Sequence, residues 1–129
     1  MGGTVSAQAR RSDRGAVAVE FALLLPVLVL LVFGIIDFGR VLNAQITVSQ
    51  AAREGARLAA LANPNACTRA AAAGTGLSLT CSGNVTITAC SATANQTSDA
   101  QARVRYAVSG LILFPGITVT GTGVMPCQG

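Results

Sequence analysis

Residues Ala16–Ile36 read AVAVEFALLLPVLVLLVFGII, with Glu20 as the only charge. As a helix rising 1.5 Å per residue the stretch reaches ~31 Å, against a hydrocarbon core of about 30 Å. It predicts a transmembrane helix. Before it lies a polar leader, Met1–Gly15, in which Arg10, Arg11 and Arg14 face only Asp13 and no hydrophobic periodicity suggests folded structure. The positive-inside rule puts that basic flank in the cytoplasm and the rest of the chain across the membrane. A secretory signal fits less well, because its apolar run is usually about 7–15 residues and ends at a small-residue cleavage site. Here the run passes straight into Asp37-Phe38-Gly39-Arg40, which marks the membrane exit.

Helical patterning continues through residues 37–62, where no proline intervenes. At 100° per residue, Arg40, Asn43, Thr47, Gln50, Glu54 and Arg57 form a polar stripe. Phe38, Val41, Val48, Ala52, Gly55, Ala56 and Ala59 fall opposite, a mostly small-residue face that allows close approach of a partner element. Pro64 disfavours helical geometry at Asn63, so the helix is expected to run from Ala16 to Ala62, bent where Pro26 removes an internal hydrogen bond.

Residues 63–129 change character, to a Thr-, Ser-, Ala- and Gly-rich tail. Asn63–Ala73 has room for one short helical turn. Val85–Ala89, Ala102–Val108 and Ile117–Thr120 each alternate apolar and polar residues, the pattern of half-buried strands. In the second, Arg103 and Arg105 share the exposed face. The expected architecture is α+β: a long helix whose small-residue face carries a small antiparallel sheet. So short a tail builds a marginal core, in which cross-links matter.

Composition agrees with a membrane or assembly setting. The 129 residues are 51% hydrophobic and 11% charged, with a mean hydropathy of +0.56, whereas soluble domains carry about 25% charge. Histidine is absent, which removes the commonest general base and metal ligand. No acid–base constellation, glycine-rich phosphate loop or metal-ligand spacing is visible, and the 4% aromatic content offers no base-stacking surface. The reading is therefore of a protein that is no enzyme, takes no cofactor, metal or small-molecule substrate, and binds no nucleic acid. Cys67, Cys81, Cys90 and Cys127 lack any C-x-x-C pair and read as two disulfides formed in an oxidising compartment. Of the three possible connectivities, joining sequence neighbours gives Cys67–Cys81 and Cys90–Cys127.

Glu20 needs a reason, since an acid in a transmembrane helix costs about 2.5–3.5 kcal/mol at the centre and less near the edge. It could simply snorkel to the interface. The sharper reading is cleavage between Gly15 and Ala16, which leaves the new Ala16 amine about one helical turn from the Glu20 carboxylate. Such a pair, or its equivalent between neighbouring subunits, is strong in a low dielectric. Arg53, Glu54 and Arg57 are a candidate partner contact, although Glu54 and Arg57 also make an ordinary i,i+3 surface pair worth about 0.2–0.5 kcal/mol.

The pattern G-x-x-x-x-E-F, from Gly15 through Glu20 to Phe21, behind a basic leader and before an apolar helix, resembles type IV pilin-like precursors. More closely, Arg14–Ala60 (RGAVAVEFALLLPVLVLLVFGIIDFGRVLNAQITVSQAAREGARLAA) resembles the TadE-like pseudopilins of tight adherence pilus systems. The junction Ile36–Arg40 and the run Ala51–Arg57 carry the likeness, which covers about residues 14–62; the later strands match only in style. The resemblance implies a type IV pilin-like fold and cleavage after Gly15 by a prepilin peptidase. It also implies a minor-pilin or assembly role beside other pilins and the assembly platform, with Glu20 and Phe21 in subunit assembly. Major pilins of these systems are shorter and typically have Tyr after the Glu, so Phe21 and the extracytoplasmic domain favour the pseudopilin. The expected location is a single-pass cell membrane protein with its N-terminus inside, available for incorporation in a surface pilus. The alternative is an uncleaved, membrane-anchored binding protein whose small outer domain contacts a partner. Losing residues 1–15 would leave six Arg against four acids, lowering the formal net charge from +4 to +2.

Overall fold

The computed structural model describes residues 9–90, 99–110 and 115–127, with the backbone alone for residues 9–14. Five elements follow in order: α1 (Ala9–Ala60), α2 (Ala66–Ala73), β1 (Val85–Thr88), β2 (Asp99–Val108) and β3 (Ile117–Pro126). The layout is α+β and pilin-like, a long N-terminal apolar helix plus a short helix packed on a three-stranded antiparallel sheet.

At 52 residues, α1 extends ~78 Å and runs unbroken through Pro26. It begins at Ala9, inside the leader that the sequence reading left without structure; residues 1–8 lie outside the described residues. Ala and Arg are good helix formers, and extending an existing helix backward carries no nucleation cost. At the other end α1 stops at Ala60, two residues before the expected Ala62. There the Asn63 N–H donates to the Leu58 carbonyl (3.0 Å) and the Ala62 N–H to the Ala59 carbonyl (3.0 Å). These are the paired bonds of a Schellman turn. The turn holds Ala62 at φ 50°, the only positive-φ residue other than glycine among the described residues.

The sheet has the order β1-β2-β3, both pairings antiparallel, with Val85 opposite Val104 and Val104 opposite Gly121. One face of β2 buries Ala100, Ala102, Val104 and Val108 while Gln101, Arg103 and Arg105 stay exposed. The buried face lies on α1. Its core combines Ala44, Val48, Ala51 and Ala52 of the helix with Val85, Val104, Val108 and Val119 of the sheet and Ala70 of α2. A second cluster, Leu58, Ala59, Ala66 and Ala100, packs against the half-buried Cys90 and Cys127.

Two expectations about the faces of α1 are corrected. Phe38, assigned to the packed face, is 59% exposed, and Thr47, assigned to the polar stripe, is 9% exposed. Thr47 tolerates burial because its Oγ1 donates to the Asn43 carbonyl at 2.9 Å within the helix. Phe38 is left outside because the sheet selects the narrower face, where Ala and Gly let backbones meet.

Strand β3 meets that face closely. A Cβ on Gly121 would strike the Val48 carbonyl, and one on Gly123 the Ala52 carbonyl. Two strand residues span ~6.8 Å and four helix residues ~6.0 Å, so the two contacts stay in step. Gln45 adds a side-chain tie, donating from Nε2 to the Thr120 carbonyl at 3.2 Å. Disulfides join Cys67 to Cys81 (Cα–Cα 5.7 Å) and Cys90 to Cys127 (5.8 Å). The first ties α2 to the turn before β1, the second the segment after β1 to the end of β3.

Candidate functional site

The span before the head is bare. From Val17 to Val32 the large apolar side chains are 43–70% exposed, so no other described element covers this surface. One helix, near the N-terminus, is long and apolar enough to cross a membrane among the described residues. Burial starts at Phe33 and Gly34, both half-buried, and becomes complete at Asp37, 2% exposed. Asp37 is thus sheltered by the fold rather than standing free at the membrane exit, while Arg40 is exposed as expected.

Gly15, Ala16, Glu20 and Phe21 are consecutive turns of α1, all exposed. A Cβ on Gly15 would meet nothing within 4 Å. Glycine inside a helix costs roughly 0.5–1 kcal/mol relative to alanine, and no packing among the described residues compensates. Glu20, four residues after Ala16, rises ~6 Å above it along the axis and has no ion-pair partner among the described residues. Hydrolysis of the Gly15–Ala16 bond would place a cationic amine within one turn of this carboxylate. In an apolar surrounding that attraction is several-fold stronger than in water.

At the far end of α1 the structure brings Glu54 and Arg57 together, Arg57 Nε lying 3.4 Å from Glu54 Oε2. Their side chains are 34% and 62% exposed, the setting of a surface pair worth under about 1 kcal/mol. Arg53 is exposed on the same helix and outside that pair. The three do not converge on a cavity, and they lie two-thirds of the helix away from Glu20. Among the described residues no cluster of potential metal ligands occurs.

A family model described as TadE-like protein matches residues 15–57. The match begins at Gly15, ends at Arg57 and lies wholly within α1. No curated protein and no solved structure matches the chain.

Proposed function

From the TadE-like character of residues 15–57 we propose that the chain is a pseudopilin that takes part in assembling a tight adherence pilus. It crosses the cell membrane once, with Arg10, Arg11 and Arg14 inside and the disulfide-bonded head outside. A prepilin peptidase cuts after Gly15, and the freed Ala16 amine pairs with Glu20 in its own or a neighbouring subunit. The role is structural and non-catalytic; its partners are the membrane, the peptidase, other pilins and the assembly platform. The observation that carries the reading is that the family match starts at a helical glycine, five residues before an acid; among the described residues nothing packs on that glycine, pairs with that acid or covers the apolar helix around them.

Mass spectrometry of the N-terminus in a native membrane fraction tests it. A mature chain starting at Ala16 is expected. An intact leader in piliated cells would overturn it and favour an uncleaved, membrane-anchored binding protein.

A further inference from the structure

The outer face of the sheet carries its own arrangement of charge. Arg103 and Arg105 stand two residues apart on β2, ~6.8 Å along the strand, and both are exposed. Cross-strand neighbours flank them in rows: Thr86, Arg103 and Thr122 in one, with Thr120 beside Arg105. Neither arginine has an ion-pair partner among the described residues. Asp99, the acid on that face, lies ~13 Å along the strand from Arg103. Two like charges side by side disfavour each other, so the sheet alone gives no reason for them.

These arginines line an open groove of about 460 Å³ together with Asn84, Thr86, Thr88 and Gln101. One wall is fixed. Asn84 Oδ1 accepts from the Thr80 N–H (3.3 Å) and hydroxyl (3.2 Å), while Asn84 Nδ2 donates to the Arg105 carbonyl at 3.1 Å. The Arg105 N–H donates to the Asn84 carbonyl at 2.8 Å, and the neighbouring Cys81 is bonded to Cys67 of α2. The loop wall and the strand bearing the guanidinium groups therefore hold a set distance.

We propose that this groove binds an acidic polysaccharide, its carboxylate groups on Arg103 and Arg105 and its hydroxyls on Thr86, Thr88, Gln101 and Asn84. Guanidinium groups take carboxylates in two parallel hydrogen bonds, and the rest of the lining offers the hydroxyls and amides that sugar hydroxyls pair with. No aromatic side chain lines the groove, so base stacking, which dominates single-stranded nucleic-acid binding, has no platform there. The proposal goes beyond the assembly role and does not rest on it, since the groove is the same whether or not Gly15 is cut.

Full-length chain in phosphatidylcholine nanodiscs is titrated with alginate, a polyuronate, and with neutral dextran. Binding to alginate that weakens with added salt is expected, with none to dextran. Arg103→Gln/Arg105→Gln should lose about tenfold or more in affinity, the scale of lost charged hydrogen bonds. Arg40→Gln/Arg69→Gln, an equal charge change at exposed sites on α1 and α2, should keep it. The leader arginines are common to all these chains and cancel in the comparison. Wild-type affinity in the double variant, or equal binding of dextran, overturns the proposal. So does tighter binding of a thymidine oligonucleotide through the same two arginines.

Discussion

Gly121 of β3 sits over the Val48 carbonyl of α1 so closely that the position a side chain's first carbon would occupy is already taken. The obstacle is backbone, which cannot swing aside as a flexible side chain does. Gly121→Ala and Gly123→Ala should therefore each destabilise the head by about 3 kcal/mol, at the upper end of overpacking costs. Chemical denaturation followed by Tyr106 fluorescence reads this directly, since Tyr106 is the only tyrosine, no tryptophan is present, and its ring packs against the core. A loss below about 0.5 kcal/mol would show that the strand can lift from the helix.

Ala62 makes the opposite prediction. It occupies the left-handed position of the Schellman turn, where a residue with a Cβ is strained and glycine is not. Ala62→Gly should stabilise the head by about 1 kcal/mol, whereas Ala60→Gly, inside the helix, should cost roughly 0.5–1 kcal/mol. Midpoints from the same denaturation series separate the two; destabilisation by Ala62→Gly would contradict the turn geometry.

Much of this architecture was legible because one periodicity dominates each part. Ala16–Ile36 is apolar all round, and Val85–Thr88 and Ala102–Val108 alternate over a half-buried sheet. The small-residue face of α1 was legible as the one that carries the sheet; what escaped was its edge, where Phe38 stays outside with Leu42 and Ile46 while Thr47 is buried. The close backbone approach of Gly121 and Gly123 sets that edge. The same glycines hid the second half of β3, since G-T-G reads as a turn when its partner helix is unknown. Gly15, Ala16 and Glu20 stand out in the sequence because an acid just inside an apolar span needs a reason. The groove beside Arg103 does not, because its wall depends on Asn84 reaching Arg105 across 21 residues.

The disulfides should contribute unequally. By loop-closure entropy the Cys67–Cys81 link, separated by 14 residues, contributes about 3 kcal/mol and the Cys90–Cys127 link, separated by 37, about 4 kcal/mol. The second also covers the Leu58–Ala100 cluster. Replacing Cys90 and Cys127 by Ser should thus lower stability more than replacing Cys67 and Cys81; the reverse order in denaturation midpoints would reject this ranking.

Folding and processing should come apart at Gly15. Gly15→Leu has open space for its side chain and a better helix former in place, so head stability and membrane insertion should be unchanged. Under the proposed processing the variant should nevertheless accumulate at precursor mass. Normal maturation would remove Gly15 from the cleavage site.

Glu20→Ala should insert and fold normally, because no described residue bonds to Glu20, yet it should yield few or no pili in electron micrographs. Normal piliation in that variant would reject the pairing of Glu20 with the Ala16 amine.

The in-step contacts of Gly121 with Val48 and Gly123 with Ala52 also have a mechanical consequence. Strand and helix run in the same direction there, so a pull along the rod tries to slide β3 over α1 rather than peel it away. Sliding forces the ridges of one backbone past the other at several points together, while peeling would open them in succession. Under the proposed role, this mounting suits a subunit held in a membrane at one end and tugged from the other, whose load is axial tension.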